Sequence, residues 1–210
     1  MTKKERAVMV TGLLKEAYPD ALCALHYTKD YELLFATRLS AQCTDVRVNI
    51  VTEELFARFP ELEDYAAAPI EEIEAVIKTC GLFHTKARDL KAAAAMLLSD
   101  FGGRVPDKME DLLKLPGIGR KTANLILGDI YGQPAVVTDT HCIRLSNRLG
   151  LVKNEKDPLK VEMALRKLLD PAESSDFCHR LVHHGREVCT ARAPKCANCC
   201  LAVCCPSFPL

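Results

Sequence analysis

Apolar residues recur every three to four positions along the chain, which is the period of an amphipathic helix. The period holds almost throughout, and no segment of strand length alternates apolar and polar residues. The helices predicted in this way cover residues 2–17, 31–42, 45–59, 69–81, 85–101, 108–115, 120–131 and 139–149, and two more open at Pro158 and at Ser174 or Ser175. The pattern therefore predicts an all-α fold.

Residues with capping preferences mark several of these helix ends. Asp30 and Thr44 are suited to cap the second and third helices, because their side chains can accept a hydrogen bond from a free backbone N–H. Asp107 and Glu110 have the spacing of a capping box before a short helix. From about Cys189 onward the helical period is lost, and we predict a loop.

The composition is that of an ordinary globular protein. The chain has 210 residues, enough for one domain or two small lobes, and 49% of them are apolar and 27% charged. The first residues lack the apolar core of a signal peptide, and no apolar run approaches membrane-spanning length. We therefore expect a cytoplasmic, nucleoid-associated protein without a membrane partner.

The formal net charge is zero, but the charge is unevenly distributed. The segment from Glu53 to Glu74 contains eight acidic residues and one basic residue, Arg58, so it carries −7 and the remainder of the chain +7. An acidic run of this kind is usually a solvated helix face. Overall neutrality therefore does not exclude a basic surface elsewhere that binds a polyanion.

A tight turn with the sequence LPGIG joins two predicted helices at residues 115–119. Gly117 and Gly119 allow backbone angles that other residues avoid, and they leave the N–H groups of the second helix open to an anion such as a DNA phosphate. Ile118 is expected to pack between the two helices. An ordinary helical hairpin is an alternative explanation of the turn by itself.

Two cations, Arg120 and Lys121, lie in the first turn of the helix that follows. The helix macrodipole disfavours positive charge there, so both residues suit contact with a polyanion. The same field, together with Arg120, favours the uncharged amine of Lys121, which can attack an electrophilic carbon. Asp139 offers a carboxylate at the start of a later helix, where it could also be a simple cap. His141 is interpreted as a structural histidine.

Eleven cysteines are many for a chain of this length, and six of them lie between residues 189 and 205. Such clustering without an export signal favours a metal over disulfide bonds. Four of the six have the spacing C-x6-C-x2-C-x5-C, which can hold zinc or an iron–sulfur cluster. These four are Cys189, Cys196, Cys199 and Cys205. Cys200 and Cys204 adjoin two of the ligands, and Cys204 could formally replace Cys205.

The metal is expected to be structural, because the C-terminal loop has too little apolar content to fold alone. Arg186, Arg192 and Lys195 are interleaved with the cysteines, which suits a loop laid against phosphates. The other cysteines are interpreted as small buried apolar residues. These are Cys23, Cys43, Cys80, Cys142 and Cys178.

In combination, LPGIGRKTA (115–123), VTDTH (137–141) and the cysteine spacing resemble the endonuclease III family of DNA glycosylases, as do LSAQCTD (39–45) and GLFHTKA (81–87). The resemblance runs in order over nearly the whole chain. It implies a six-helix barrel with a helix-hairpin-helix motif at residues 22–132. It also implies a second helical lobe, formed by residues 1–21 and 133–210, that holds a four-iron cluster. A cleft between the two lobes would take a base flipped from the duplex.

The family's functional residues are carried over by motif. Lys121 matches the lysine that forms a Schiff base, and Asp139 matches the catalytic aspartate. Gln42 and Leu82 match residues that fill or wedge the gap left by the extruded nucleotide, although by themselves they could be a polar cap and a core leucine. The cysteine motif matches the ligands of a [4Fe–4S] cluster and favours Cys205 as the fourth.

The resemblance implies a bifunctional DNA glycosylase and abasic-site lyase of base-excision repair. Its substrate would be double-stranded DNA with oxidised pyrimidines or abasic sites, bound by a monomer. Attack of Lys121 on C1′ would displace the base, and β-elimination would then break the strand on the 3′ side.

Three other functions compete with this interpretation. Adenine-type mismatch glycosylases resemble the chain, cluster included, but they lack the lysine and have a glutamate where Arg38 aligns. Lys121 and Asp139 together discriminate against a non-catalytic DNA-binding module with a structural metal, because binding alone has no use for a carboxylate beside phosphates. A zinc-dependent hydrolase is disfavoured, because no His/Glu ligand set with an open coordination position is evident.

Overall fold

The structure is a computed structural model, and it describes residues 1–209. In that range the chain forms eleven α-helices and two 3-10 turns and has no strand, so the predicted all-α fold is confirmed. The helices are α1 (Lys3–Ala17), α2 (Asp30–Leu39), α3 (Asp45–Arg58), α4 (Leu62–Ala67), α5 (Ile70–Ile77), α6 (Phe83–Phe101), α7 (Met109–Leu112), α8 (Arg120–Asp129), α9 (Thr140–Arg148), α10 (Pro158–Leu168) and α11 (Ser174–Glu187). The 3-10 turns are Pro171–Glu173 and Cys196–Asn198.

The chain divides into two compact units. The central unit is Ala24–Tyr131 and contains α2 to α8. The terminal unit combines Met1–Cys23 with the chain from Gly132 onward and contains α1 and α9 to α11. The sequence placed the two boundaries at residues 21/22 and 132/133.

The central unit is built around α2, of which eight of ten residues are buried. A helix that is apolar on almost every side must be enclosed, and α3, α6 and α8 all pack against α2. Phe35 of α2 meets the ring of Tyr65 edge-on at a centroid distance of 4.9 Å, and Tyr65 is completely buried. This packing fixes the loop that follows α2 and the start of α8, where several candidate functional residues lie.

In the terminal unit, α11 packs against both α1 and α9. The contact between α9 and α11 is close because Gly185 has no side chain. A Cβ at this glycine would lie 2.5 Å from Nδ1 of His141. Val10 and Leu14 of α1 are fully buried in the same unit, as is Leu181 of α11. Helix α9 is therefore held against α11 in a packed helical core.

Several predicted helix starts are wrong by one or two residues. The N-cap of α2 is Lys29 rather than Asp30, because the carboxylate of Glu32 turns back and accepts the N–H of Lys29 at 3.0 Å. The N-cap of α7 is Lys108 rather than Asp107. The helix predicted from residue 85 begins at Phe83, directly after Leu82, whose φ is positive.

Helix α4 was not predicted at all. It has six residues and lies in the acidic segment, where the pattern of charges hides its two buried residues, Leu62 and Tyr65. The side chain of Asp64 accepts the N–H of Glu61 at 2.9 Å and so supports its first turn. Among the helices of residues 1–209, none is both long and apolar enough to cross a membrane.

Candidate functional site

The turn between α7 and α8 has the geometry that its glycines suggest. Gly117 has a φ of +73°, in the left-handed region, and Ile118 is buried with only 8% of its surface exposed. Gly119 is the N-cap of α8 and has no side chain with which to cap it. The N-terminal end of α8 therefore presents backbone N–H groups beside exposed glycines, an arrangement that favours an anion.

An ion pair that the sequence reasoning missed lies directly against this turn. Nε of Arg38 donates to Oδ2 of Asp89 at 2.7 Å, and the two side chains are only 15% and 20% exposed. A Cβ on Gly117 would lie 2.6 Å from each of these two atoms. Glycine is therefore required at this position by the close approach as well as by its φ. The pair joins residues 51 positions apart, and no local pattern reveals it.

The two cations predicted for the first turn of α8 are placed there. Arg120 is the first residue of the helix and is half-buried, whereas Lys121 is the second and is exposed. The residues that follow in α8, from Ala123 to Leu127, are buried, whereas the Lys121 side chain remains accessible to a large substrate.

Gln42 and Leu82 lie on two neighbouring loops of the central unit. Both are exposed and have positive φ values, 56° and 60°, which are strained for residues other than glycine. A Cβ on Gly81 would lie 3.8 Å from the carbonyl oxygen of Gln42, so the loops are in contact. The alternative that Leu82 is a core leucine is wrong, because 57% of its surface is exposed.

Asp139 in the terminal unit is the N-cap of α9. Its Oδ1 accepts the backbone N–H of Cys142 at 2.7 Å, which fixes the orientation of a half-buried carboxylate. His141 follows in the first turn of α9 and lies 3.2 Å from a guanidinium nitrogen of Arg144. Burial lowers the pKa of His141, and the charge of Asp139 opposes that shift. The surroundings of His141 suit a structural histidine that orders the helix beginning at Asp139.

A cavity in the terminal unit brings the cysteine motif together. Its lining includes all four predicted ligands, Cys189, Cys196, Cys199 and Cys205, together with Leu145 and Arg148 of α9. Cys200 and Cys204 do not line it. Cys204 is buried and its thiol donates to the carbonyl of Leu201 at 3.4 Å.

The thiols around the cavity influence one another's ionisation. Burial, with smaller contributions from the neighbouring thiols Cys200, Cys189 and Cys205, raises the pKa of Cys199 to about 11. Several thiolates at this site need a compensating cation, which a bound metal group provides. Among residues 1–209, no three His, Cys, Asp or Glu side chains are grouped as a site for a metal ion. The four predicted ligands line one cavity without the close grouping that a single ion needs, so their thiol chemistry and placement suit a group larger than one ion.

Arg148 at the end of α9 holds both ends of the cysteine loop. Its guanidinium donates to Sγ of Cys189 at 3.3 Å and to the carbonyl oxygen of Thr190 at 2.7 Å. Its own carbonyl oxygen accepts from the hydroxyl of Ser207 at 2.8 Å. No sequence signal pointed to Arg148, because its partners are more than 40 residues away.

A second supporting contact comes from His184 of α11, which is 1% exposed. Its Nδ1 lies 3.1 Å from the hydroxyl of Tyr18, and its Nε2 lies 3.4 Å from Sγ of Cys199. Burial lowers the pKa of His184, which favours the neutral ring. A tautomer with the proton on Nε2 accepts from Tyr18 and donates to Cys199, and so orients a thiolate at the cavity.

The cysteines outside the motif divide into two kinds. Cys80, Cys142 and Cys178 are buried, as predicted. Cys23 and Cys43 are only half-buried, so their interpretation as core residues is wrong. Both lie in segments that connect helices, where the apolar period gives no guide to burial.

Comparison with known proteins identifies the family. Residues 35–171 match the HhH-GPD superfamily of base excision DNA repair proteins. The chain is 46% identical to endonuclease III from Synechocystis sp. over 207 residues, which is 98% of this chain and 94% of that protein. It is 42% identical to endonuclease III from Bacillus subtilis (strain 168), with 88% of this chain and 84% of that protein covered.

Solved structures agree in fold. A trapped endonuclease III–DNA covalent intermediate matches with a TM-score of 0.93 and 40% identity, covering 99% of this chain and 97% of that one. A thermostable thymine-DNA glycosylase matches with a TM-score of 0.86 and 27% identity, over 98% of this chain and 97% of that one. The sequence motifs, the glycine turn before α8 and these similarities all indicate the same family. The chain belongs to the endonuclease III family, within the HhH-GPD superfamily of base excision DNA repair proteins.

Proposed function

We propose that this base-excision-repair DNA glycosylase and lyase removes oxidised pyrimidines from double-stranded DNA, with Lys121 as its nucleophile. The observation that carries the proposal is the exposed position of Lys121 in the first turn of α8, directly after the glycine turn. The similarity to a covalent endonuclease III–DNA intermediate supports it, because such an adduct requires a nucleophilic side chain.

The chemistry begins with the amine of Lys121 in its neutral form. It attacks C1′ of the damaged nucleotide, the bond from C1′ to the base breaks, and the base leaves. Ring opening gives an imine between Lys121 and C1′, which makes a proton on C2′ acidic. Loss of that proton eliminates the 3′ phosphate and breaks the strand, and hydrolysis of the imine releases the enzyme.

Asp139 is proposed to stabilise positive charge that develops on the sugar as the base departs. A carboxylate held in one orientation by the N–H of Cys142 needs little reorganisation during the reaction. This role acts on the transition state rather than on binding, so its loss affects the rate more than the affinity.

The remaining DNA contacts are assigned by position. Gly117, Gly119 and Arg120 present the start of α8 to a backbone phosphate. The exposed side chains of Gln42 and Leu82 occupy the gap left by the flipped nucleotide.

For the metal centre we propose a [4Fe–4S] cluster held by the four cysteines that line the cavity. When bound, it cross-links the C-terminal loop and has no step in the lysine chemistry. Arg148 and His184 orient two of its thiolates through N–H···S contacts, to Cys189 and Cys199 respectively.

Architecture and setting complete the proposal. The central unit is taken as the family's six-helix barrel, with α7 as a single turn of four residues within the hairpin. The terminal unit is taken as the cluster domain. The protein is proposed to act as a monomer on DNA of the cytoplasmic nucleoid.

Borohydride trapping tests the role of Lys121. Wild-type protein should give a covalent adduct on a duplex with thymine glycol or an abasic site. Lys121→Gln should retain lesion binding and lose both the adduct and strand cleavage. Lys114→Gln is the matched control, because Lys114 is an exposed lysine of the same hairpin, paired with Asp111. Near wild-type cleavage by Lys121→Gln would contradict the proposal.

The cluster is tested by colour and iron content. Protein purified without oxygen should be yellow-brown, and a colourless preparation with one zinc would exclude the four-iron group. Serine at Cys200 or Cys204 should retain iron, whereas serine at Cys199 or Cys205 should lose it or give insoluble protein. Iron lost from Cys204→Ser but kept by Cys205→Ser would show that the fourth ligand is assigned wrongly.

A further inference from the structure

Two cysteines with no part in the proposed chemistry lie on the neighbouring loops that carry Gln42 and Leu82. Cys43 follows Gln42 directly, and Cys80 is two residues before Leu82. The two loops are in contact, because a Cβ on Gly81 would lie 3.8 Å from the carbonyl oxygen of Gln42. Cys80 is completely buried and Cys43 is half-buried, so small molecules in solution can reach one member of the pair.

The two loops are held in register by a buried lysine. Lys86 of α6 has no exposed surface, and its ammonium donates to the carbonyl oxygens of Leu39 and Ala41 at 2.8 and 2.7 Å. These contacts fix the segment just before Cys43 against the start of α6, which follows Cys80. The approach of the two segments that carry Cys43 and Cys80 is therefore built into the packing of this region.

The charges around the thiols also bear on their reactivity. Burial and the neighbouring Cys43 thiol together raise the pKa of Cys80 to about 11. The cations Lys86 and Arg47 oppose this shift and so favour the thiolate. Burial lowers the pKa of Lys86, the two thiols oppose that shift, and Arg38 reinforces it. Charged groups from α2, α3 and α6 thus surround a dithiol that sits between two exposed loops.

A second pair of adjacent cysteines provides an internal comparison. Cys142 and Cys178 in the terminal unit also interact through their side chains, but both are buried, with 0% and 2% of their surfaces exposed. Access separates the two pairs, since a disulfide reagent must reach a sulfur before exchange can begin.

We propose that Cys43 and Cys80 form a redox-active dithiol, which closes to a disulfide on reaction with a low-molecular-weight disulfide and thereby weakens binding of damaged DNA. The Cys43 thiolate attacks one sulfur of the reagent, which forms a mixed disulfide and releases one thiolate. The Cys80 thiolate then attacks the Cys43 sulfur, which forms the intramolecular bond and releases the second thiolate. Two protein thiols are oxidised and one reagent disulfide is reduced to two thiols.

The effect on DNA rests on the proposed function, in which Gln42 and Leu82 enter the gap in the duplex. A covalent bond between Cys43 and Cys80 requires their sulfurs to lie about 2.05 Å apart, which draws the two loops together. Both loops already have strained backbones at Gln42 and Leu82, so small shifts of their flanking residues change where these side chains point.

Peptide mapping tests closure directly and does not depend on activity. Holoenzyme is treated anaerobically with oxidised glutathione, its free thiols are blocked, and it is digested with trypsin without reduction. The expected product joins LSAQCTDVR (39–47) to TCGLFHTK (79–86), with the mass of both peptides less two hydrogens. No cross-link should join Cys142 to Cys178. A stable glutathione adduct on Cys43 of the wild-type protein, or no reaction at all, would overturn the proposal.

Two variants separate the steps. Cys80→Ala should accumulate glutathione on Cys43, because the resolving thiol is absent. Cys43→Ser should not react at this site, and it keeps the test informative if the buried substitution at Cys80 prevents folding. With both proteins in the reduced state, Cys43→Ser is expected to cleave lesion DNA as the wild type does.

Affinity for a duplex with a non-cleavable abasic analogue tests the consequence. Oxidised wild type should bind several-fold more weakly than reduced wild type and recover with dithiothreitol, whereas Cys43→Ser should show no change. An unchanged affinity in fully cross-linked protein would overturn the switch. Failure of the proposed function would be distinct, because reduced wild type would then give no borohydride adduct.

Discussion

Helices α8 and α9 carry the two proposed catalytic residues, and they begin in opposite ways. The start of α8 has glycine as its N-cap, with Arg120 and Lys121 in its first turn. The start of α9 has a carboxylate as its N-cap, and that carboxylate accepts one of the helix's own N–H groups. The first helix thus leaves its positive end for an external anion, whereas the second satisfies part of its positive end internally.

Because the two helices begin differently, Lys121 and Asp139 should contribute differently to the stability of the fold and to the reaction. Lys121 is exposed, and the macrodipole opposes its charge, so the fold gains little from its side chain. Asp139 contributes to both, because the carboxylate proposed to act on the sugar also caps α9. Substitutions at the two helix starts should therefore divide differently between rate and free energy of unfolding.

The largest effect is expected at Asp139. Asparagine caps helices as well as aspartate but carries no charge, so Asp139→Asn should slow base release by orders of magnitude while its Tm stays close to wild type. Asp139→Ala should lose the same activity and also about 1 kcal/mol of unfolding free energy. Single-turnover kinetics and thermal unfolding measure the two effects. Wild-type rates in Asp139→Asn would mean that the residue is only a cap.

The next effect is expected at Gly117. Alanine there would meet Arg38 and Asp89 at 2.6 Å and would adopt a positive φ, so Gly117→Ala should distort the hairpin and lower DNA affinity by about tenfold. Gly119→Ala is the matched control, because a Cβ at Gly119 meets no atom within 4 Å. Equal affinities of the two variants, measured with an uncleavable abasic duplex, would contradict a role for Gly117 and the adjacent ion pair in DNA binding.

A smaller effect tests the open start of α8 itself. Serine at position 119 can cap the helix, so Gly119→Ser should raise the unfolding free energy by a few tenths of a kcal/mol. It should also weaken DNA binding several-fold, because the serine oxygen competes with the phosphate for the same N–H groups. Gly119→Ala again serves as the control. Tighter binding by Gly119→Ser would show that α8 does not use its N-terminus for DNA.

The smallest effect concerns the acidic segment from Glu53 to Glu74. Binding should weaken several-fold from low to physiological salt, because basic residues such as Arg120, Arg186, Arg192 and Lys195 displace counterions from the phosphates. Neutralising the exposed acids Glu53, Glu54 and Glu63 to glutamine should change affinity little, since this segment is expected to face away from DNA. A flat salt response would contradict this distribution of charge.

The sequence predicted most helices because their apolar residues repeat locally. Thr44 and Asp139 were identified as caps because capping is also a local interaction, in which the cap and its partner lie three residues apart. Helix α4 was not predicted, because only two of its six residues are buried and they form no apolar repeat. The start of α2 was misassigned because the buried Glu32 competes with Asp30 for the capping role.

The candidate site divides along the same line. Lys121 and the four proposed cysteine ligands were predicted because each belongs to a short motif with a fixed spacing. The partners of Arg38 and Arg148 were not found, because they lie 51 and more than 40 residues away in the chain. The proximity of Cys43 and Cys80 was missed for the same reason, because the loops that carry them come together only when α3 and α5 pack.

Helix α9 has Asp139 immediately before its first residue and Arg148 as its last. Nine residues span about 13 Å, so a tilt of about 10° at one end moves the other by about 2 Å. Catalytic geometry tolerates far less displacement than that. Because Arg148 donates to Cys189 and Thr190, the position of the C-terminal end of α9 depends on the cysteine loop. A movement of that end also moves Asp139 at the other end of the helix. Disruption of the cysteine loop would consequently displace the carboxylate of Asp139 and slow the reaction, although no cysteine has a step in the proposed chemistry.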